Sequence, residues 1–302
     1  MSFSKSAAAA VSIAYNLLLL VAKLVVAVLT GSVAILSEAL HSVMDLVAAI
    51  VAFVTVRKAD EPADTEHPYG HHKLEHLAAG FEGLLLVIAA GIVGYEAVSR
   101  LVDGAEVEKV GIGITVIAFS VVGSTVVGLF LRRQSRRHSS AALEGDAAHL
   151  LADAWTSVAV LIGLALVELT GEPAFDSAVA ILISALIAVT GIRILIRAGR
   201  ALLDESAPAE ELDRIEEVIR RTRTPEMVGY HKLRARVAGR RRYVELHVQY
   251  RSGTSLDRAH QLAHDLRDAI ESELGDAEAL IHVEPESSVK QPHETAGPFR
   301  SG

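Results

Sequence analysis

The sequence predicts an α-helical membrane protein, in which a bundle of six transmembrane helices precedes a cytoplasmic α+β domain of αββαβ order. Three observations lead to this fold class. The mean hydropathy is +0.35, which is high for a soluble domain, yet 22% of the 302 residues are charged. The apolar runs occupy the first two thirds of the chain, and the last third has the composition of a soluble protein. Charge and apolar residues are therefore segregated along the chain.

Six segments approach the roughly 20 apolar residues that are needed to cross about 30 Å of hydrocarbon. We predict that each is a helix, because unpaired backbone groups cannot be left in lipid. Gly31 and Ser32 form a short link between the first two segments, which predicts antiparallel neighbours. The predicted segments are Ala7–Leu29, Val33–Val56, Leu77–Val98, Val110–Leu131, Ala141–Leu166 and Ala178–Ile196.

The distribution of Lys and Arg predicts the orientation of these helices. One side carries only Arg100 and Lys109, whereas the links after the second and fourth segments and the end of the sixth are basic. Cytoplasmic loops carry the excess of positive charge, so both termini are predicted to be cytoplasmic. The N-terminus enters its apolar run without a cleavage site, which predicts a retained helix and no signal peptide. The bacterial inner membrane is the preferred location for this multi-pass chain.

The last third predicts a small mixed domain. Helical periodicity covers Glu210–Arg221 and Ser255–Leu274, the latter with Thr254 or Ser255 as its cap and Gly275 at its end. The predicted strands are Tyr230–Val237, Tyr243–Tyr250 and Ala279–Val283, the first two joined by a turn around Gly239. The predicted domains are residues 1–205 for the membrane part, 206–288 for the cytoplasmic part and 289–302 for a disordered tail.

Composition excludes several classes of function. The chain has no cysteine, which excludes disulfides and thiolate metal sites. The same absence argues against Cu(I) as the bound metal, because Cu(I) prefers sulfur ligands. The net charge is −8, and the basic residues adjoin apolar runs without forming a stripe, so nucleic acid is not an expected partner. No Gly-x-x-x-x-Gly-Lys-Ser/Thr motif occurs, so we expect no nucleotide partner and no ATP-driven pump.

Two predicted helices each carry a histidine and an aspartate one turn apart. The second segment holds His41 and Asp45, and the fifth holds His149 and Asp153. Residues four apart share a helical face, so two facing pairs would offer two imidazoles and two carboxylates, a ligand set that suits tetrahedral Zn²⁺. Ionisable groups inside a membrane helix indicate a bound ion or a pathway. The alternative is that the four residues only hydrogen-bond between helices, but the repeated pair favours the metal site.

Two other groups of metal-ligand residue types lie outside the membrane segments. Asp64, His67 and His71 occupy the link between the second and third segments, where spacing leaves a metal site and a solvated loop equally open. In the last third, strand alternation places His247 away from the predicted apolar core. Spacing alone does not establish a metal site in this part of the chain. The candidate ligands there are His231, His247, His260, His282 and Glu284.

Taken together, these stretches resemble the cation diffusion facilitator family of metal exporters over nearly the whole chain. The resemblance is carried by Ser37–Asp45 on the second segment, by His149–Asp153 on the fifth and by Asp64–Glu75 between them. The order of six membrane helices followed by a metallochaperone-like αββαβ domain is similar to the family's plan. The combination is specific, although no single motif in it is.

The resemblance implies three metal sites and a dimer. The intramembrane transport site is implied to prefer zinc. The resemblance implies a second metal site in the loop at Asp64, His67 and His71. The five ligand-type residues of the cytoplasmic domain match the family's binuclear metal site. A homodimer is implied, with a charge interlock of Lys73 and Asp204 near its interface. The position of Glu284 directly after Val283 and the extra imidazole of His264 depart from the family pattern and leave the cytoplasmic coordination open. The implied transport ligands are His41, Asp45, His149 and Asp153.

The expected function is secondary-active export of Zn²⁺ from the cytoplasm in exchange for protons, with Cd²⁺ and Co²⁺ as further cargo. Zinc is expected both as substrate and as a regulatory or structural ion in the cytoplasmic domain. One alternative keeps the fold and exports Mn²⁺ or Fe²⁺. A second is an intramembrane metalloenzyme, against which four apparent protein ligands argue. A third is a membrane-tethered metal sensor without transport, which would not need the intramembrane residues.

Overall fold

The computed structural model divides into two compact units, Met1–Arg200 and Ala201–Gly302. The first unit is helical, and the second combines helices with a sheet. The predicted tail at 289–302 and the link at Gly31 and Ser32 lie outside the described residues. The structure describes residues 4–30, 33–103, 113–170, 172, 174–239 and 241–288.

The described part of the first unit contains six helices of 26 to 30 residues, which confirms the predicted helical segments. At about 1.5 Å per residue, even the shortest is longer than the hydrocarbon layer of about 30 Å. By length and composition, three of them are apolar enough to cross a membrane within the described residues: α1, α3 and α6. Crossing by the other three stays a prediction. The helices are α1 (Lys5–Thr30), α2 (Val33–Ala59), α3 (Leu74–Asp103), α4 (Gly113–His138), α5 (Ala141–Thr170) and α6 (Ala174–Leu202).

The outer surface of this unit is apolar, and its interior holds many small residues. Leu18 is 54% exposed, Val28 is 82% exposed and Leu182 is 60% exposed, whereas Ala8 and Ala52 are fully buried. In water such an outward display of large apolar side chains would be unfavourable. Small interior residues allow helices to approach closely in a membrane, where lipid competes with apolar packing. The exposure pattern therefore fits a lipid-facing bundle.

Helices α3 and α6 approach each other closely at Gly83 and Gly191. A Cβ atom added at Gly191 would lie 2.8 Å from the carbonyl oxygen of Gly83, so the backbones leave no room for a side chain. We expect Gly191→Ala to lower the thermal unfolding temperature of the purified protein, since overpacking costs about 1–3 kcal/mol. Gly199→Ala on the same helix is the control, because Gly199 has open space around it. Equal unfolding temperatures for the two variants would contradict this close packing.

The basic residues assigned to links by the sequence lie on helix ends. The predicted fourth segment stops at Leu131, but α4 continues to His138, so the four arginines that follow Leu131 are helical. Arg57 and Lys58 likewise belong to the last turn of α2. Cations near a helix C-terminus interact favourably with the helix dipole, which explains why the helix continues past its apolar run. The basic residues after the fourth predicted segment are Arg132, Arg133, Arg136 and Arg137.

The second unit has the predicted αββαβ order. Strands β1 and β2 pair antiparallel, and β3 pairs with β2 in parallel, which gives the sheet order β1-β2-β3. A parallel neighbour requires a crossover connection, and α8 supplies it between β2 and β3. The elements are α7 (Ala209–Arg221), β1 (Met227–Ala238), β2 (Arg241–Tyr250), α8 (Leu256–Leu274) and β3 (Ala277–Pro285), followed by a short 3₁₀ turn at Glu286–Ser288.

The apolar core of this unit lies between the sheet and its helices. Val244, Leu246 and Val248 on β2 are buried with Ile219 of α7 and Leu266 of α8. Because successive strand residues point to opposite faces, His247 lies on the face away from this core, as predicted. The sheet therefore offers one face to the helices and a second face on which ligand-type side chains gather.

Helix α8 begins and ends as the sequence predicts. Ser255 is its cap, and the Ser255 hydroxyl accepts a hydrogen bond of 3.3 Å from the backbone N–H of Arg258. Gly275 ends the helix with a φ of 83°, a conformation that glycine adopts without the steric cost of a side chain. These caps fix where α8 stops and β3 begins.

Candidate metal centres

Helices α2 and α5 bring Asp45, His149 and Asp153 together inside the first unit. The Nε2 atom of His149 lies 3.1 Å from Oδ1 of Asp45 and 3.8 Å from Oδ2 of Asp153. Ligand atoms about 2.0–2.2 Å from a tetrahedral zinc ion are about 3.4 Å apart, so this spacing fits a shared ion. Asp45 and His149 are buried, and Asp153 is the most open of the three. The side chain of the fourth predicted ligand, His41, lies outside the described residues.

Polar contacts with α1 surround this cluster. The Ser12 hydroxyl donates a hydrogen bond of 2.9 Å to Oδ1 of Asp146, one turn before His149. Lys23 donates a hydrogen bond of 2.8 Å to the Ser42 hydroxyl on α2. Buried polar groups are costly unless they are paired, so these contacts hold α1, α2 and α5 in a fixed arrangement around the ligands.

The structure adds one buried acid that sequence reasoning did not single out. Glu82 on α3 is 1% exposed, and its Oε2 lies 3.7 Å from Nδ1 of His149. The signal was available in the sequence, since an acid in the middle of an apolar membrane run indicates a functional position. Glu82 has no histidine or aspartate four residues away, whereas α2 and α5 each carry a histidine and an aspartate at that spacing.

The loop between α2 and α3 brings its three predicted ligands together. His67 Nδ1 and His71 Nε2 each lie 3.4 Å from an oxygen of Asp64, and the two rings are 4.5 Å apart. Asp64 accepts backbone hydrogen bonds from Glu66 and His67. The His67 hydrogen bond is the main cause that lowers the pKa of Asp64 below its usual value, so the carboxylate stays ionised. An ionised oxygen and two imidazoles form a small O/N site.

Strand register gathers the cytoplasmic cluster. His231 on β1 pairs with His247 on β2, and His247 pairs with His282 on β3, so three imidazoles form a row across the sheet. Glu284 faces this row at 2.9 Å from His231 Nε2, 2.6 Å from His247 Nδ1 and 3.5 Å from His282 Nε2. His231 is 2% exposed, whereas the side chain of His282 is 60% exposed, so the row runs from a buried end to an open one.

The environment of Glu284 keeps it ionised. Desolvation by burial acts to raise its pKa, but hydrogen bonds with His231, His247 and Ser288 outweigh burial and lower the pKa to about 2. The carboxylate is therefore available as a metal ligand across the physiological pH range. The imidazoles, in contrast, must lose protons before they can bind a metal.

The ionised carboxylate of Glu284 carries a prediction for metal binding by the cytoplasmic cluster. We expect Glu284→Gln to weaken zinc binding at about pH 7.5, because a neutral amide replaces a carboxylate whose pKa is about 2. The measurement is zinc titration of the purified full-length protein against a competing chelator. Zinc affinity that is unchanged in Glu284→Gln would count against this assignment.

Two of the predicted assignments involve residues outside these groups. His260 lies on α8, where its ring is 4.3 Å from that of His264. Among the described residues, the cytoplasmic ligand atoms that all lie within 4.8 Å of one another belong to His231, His247 and Glu284, so His260 and the open end of the row at His282 fall outside that tightest group. Asp204 forms an ion pair of 2.7 Å with Arg236. The predicted interlock of Asp204 with Lys73 would join the two units and stays a prediction.

Comparison with known proteins identifies the class to which this chain belongs. Residues 9–203 match the family model of the cation efflux transmembrane domain, and residues 207–286 match that of the cation efflux protein's cytoplasmic domain. The chain belongs to the cation diffusion facilitator family. This membership agrees with the resemblance drawn from the sequence, and it makes the chain a divalent cation efflux transporter of the membrane.

Individual members of the cation diffusion facilitator family match over most of their length. An uncharacterized transporter of Synechocystis sp. is 34% identical over 257 residues, covering 85% of this chain and 83% of the relative. The cation-efflux pump FieF of Pectobacterium atrosepticum is 31% identical over 262 residues, covering 87% of this chain and 86% of that pump. A solved structure described as the Zn form of the transporter CzrB is 36% identical with a TM-score of 0.26, covering 29% of this chain and 99% of that chain.

Proposed function

We propose that this transporter exports Zn²⁺ from the cytoplasm in exchange for protons, with His41, Asp45, His149 and Asp153 as the intramembrane transport site. The observation that carries the proposal is the buried His149 imidazole between two carboxylates, at separations suited to zinc ligands. Buried ionisable groups of this kind are costly in a membrane unless they serve an ion or a proton.

The chemistry of the ligands favours zinc over harder metals. Imidazole nitrogen suits Zn²⁺, and the chain has no cysteine to select softer Cu(I). Mn²⁺ prefers more oxygen, which aspartate in place of His41 and His149 would have supplied. Cd²⁺ and Co²⁺ are further cargo in this proposal. Export of Mn²⁺ or Fe²⁺ by the same fold is the alternative.

Proton exchange follows from the same side chains. A metal ion and a proton compete for the lone pair of an imidazole nitrogen, and carboxylates also release metal when they are protonated. On the cytoplasmic side, neutral imidazoles and ionised carboxylates would bind Zn²⁺. On the more acidic outer side, protons would displace the ion, and the protonated site would return inward. One set of residues thereby couples the two flows.

The other two clusters have supporting roles in the proposal. Asp64, His67 and His71 form a second metal site in the cytoplasmic loop. The cytoplasmic domain, residues 206–288, holds regulatory zinc and mediates a homodimer. Its proposed ligands are His231, His247, His260, His282 and Glu284.

The membrane arrangement completes the proposal. Residues 1–205 form the transport domain, with both termini in the cytoplasm and the bundle surrounded by inner-membrane lipid. The interlock of Lys73 with Asp204 lies near the interface of the homodimer. The apolar outer surface of α1 and α6 supports the contact with lipid.

The proposal is tested by metal flux into proteoliposomes that contain the purified full-length protein and an imposed pH gradient. We expect Zn²⁺ flux that rises with the gradient and falls when a protonophore collapses it, with smaller flux of Mn²⁺ and Fe²⁺. Gradient-dependent Mn²⁺ or Fe²⁺ flux without Zn²⁺ flux would favour the alternative cargo. Binding of zinc without flux of any metal would overturn the transport proposal in favour of a sensor.

A further inference from the structure

Glu82 occupies an unusual position for a carboxylate. It lies on α3 within an apolar run, and it is 1% exposed. Helix α5 passes directly over it at a glycine, because a Cβ atom added at Gly145 would lie 3.0 Å from Cβ of Glu82. Because the two helices approach closely, the Glu82 side chain is buried against α5. Helix α5 is also the helix that carries His149 and Asp153.

The polar atoms of this contact lack other partners. Within the part of the chain that the structure describes, neither carboxylate oxygen of Glu82 has a hydrogen-bond partner, and neither does Nδ1 of His149. Leaving such buried groups unmatched is costly, so an acceptor and a donor that face each other are expected to pair. Oε2 of Glu82 and Nδ1 of His149 are 3.7 Å apart, slightly beyond hydrogen-bond length.

The two nitrogens of His149 therefore face different groups. Nε2 donates a hydrogen bond of 3.1 Å to the Asp45 carboxylate and lies 3.8 Å from Asp153, whereas Nδ1 lies 3.7 Å from Glu82. A metal ion held by Nε2 would have to take the place of that proton. A neutral imidazole carries its proton on one nitrogen and a lone pair on the other. For Nε2 to present its lone pair to a metal ion, the proton must be on Nδ1, where it needs an acceptor.

We propose that Glu82 is a positioning residue that accepts the Nδ1–H of His149 when a metal ion takes the place of the Nε2 proton, and so sets the affinity of the transport site. An acceptor on the far nitrogen of a metal-binding histidine also orients the ring and raises its basicity. Glu82 faces the nitrogen opposite to the ligand pair, so it acts through His149 and not as one of the ligands.

A purely structural role for Glu82 makes a different prediction. A buried, unmatched carboxylate contributes poorly to packing, and an apolar side chain of similar volume is often neutral or stabilising in its place. Glu82→Met should therefore leave the thermal unfolding temperature unchanged or raise it while it weakens transport. If Glu82 served only to hold α3 against α5, the unfolding temperature would fall and the affinity for cargo would not change.

The transport test rests on the proposed function and uses full-length protein in proteoliposomes with Zn²⁺ as the probe. We expect Glu82→Met to raise the KM for Zn²⁺ by about 10–100-fold, with a smaller change in kcat. Glu82→Gln retains an acceptor oxygen and should recover most of that loss. In a His149→Asp background, where no Nδ1–H exists, Glu82→Met should raise KM no further, because the two residues act as one unit.

A second measurement tests the inference without transport. In the zinc-loaded full-length protein, the Nδ1–H proton of His149, identified by its loss in His149→Asp, should show the downfield NMR shift of a hydrogen bond to a carboxylate in the wild type and lose that shift in Glu82→Met. An Nδ1–H shift that is the same in Glu82→Met would overturn the proposal, as would a Glu82→Met penalty of equal size in both backgrounds. A wild type without metal flux would sink the proposed function, while the Nδ1–H shift would still decide the role of Glu82.

Discussion

Replacing Asp153 with alanine is expected to reduce gradient-driven Zn²⁺ flux by at least about 100-fold, since even residues that only support metal ligands are worth about 10–100-fold. Asp153 is the most open of the three described ligand residues, so its loss should disturb the packing of the bundle little. The expected result is a protein with a normal unfolding temperature and no measurable transport. Flux of Zn²⁺ into proteoliposomes under a fixed pH gradient measures it.

The matched control for this variant is Glu96→Gln, which removes an exposed carboxylate on α3 that pairs with Arg100. Exposed ion pairs contribute little to stability, so this variant should transport like the wild type. If Asp153→Ala transported at the rate of the control, the intramembrane cluster would not be the transport site, and the ion would have to pass elsewhere.

Replacing His149 with aspartate is expected to change which metal is carried. The variant keeps an ionised ligand at the site but exchanges nitrogen for oxygen, which suits harder cations such as Mn²⁺ better than Zn²⁺. We expect the ratio of Zn²⁺ flux to Mn²⁺ flux to fall about tenfold, which corresponds to about 1.4 kcal/mol of relative binding free energy. Competition flux with both metals in the same proteoliposomes measures this ratio directly.

His264→Asp makes the same chemical change on α8 of the cytoplasmic unit and serves as the control for selectivity. It should leave the flux ratio unchanged, because His264 packs edge-to-face against His260 and is not part of the intramembrane cluster. A His149→Asp variant that lost flux of both metals in equal proportion would show that His149 is required without selecting the cargo. The argument from ligand softness would then fail.

The elements of this fold are predictable from the sequence because their signals are local. Long apolar runs predict the six helices, and two-residue alternation predicts which side of β2 carries His247. The pairing of Asp153 with His149 is also local, since both lie on one face of α5. That Asp45 meets them is suggested only by the repetition of the pattern on another helix.

Contacts between distant parts of the chain were not predictable in this way. Lys5 contacts Asp60 at 2.5 Å and Glu75 at 2.8 Å, the latter 70 positions further along the chain. The approach of Glu82 to His149 depends on how α3 packs against α5, and no spacing within α3 encodes it. Helix ends were also mispredicted beyond Leu131, because hydropathy detects where the apolar run stops and not where the helix stops.

The row of histidines across the cytoplasmic sheet exists only when the three strands pair in their native register. The affinity of this site for a metal ion would therefore depend on correct strand pairing. Sliding β3 by one residue against β2 would turn His282 and Glu284 toward the helix-covered face, because side chains alternate. A misaligned sheet would then offer His231 and His247 without their carboxylate partner. An ion bound at this site would stabilise only the native strand pairing, so metal binding would favour correct assembly of the sheet.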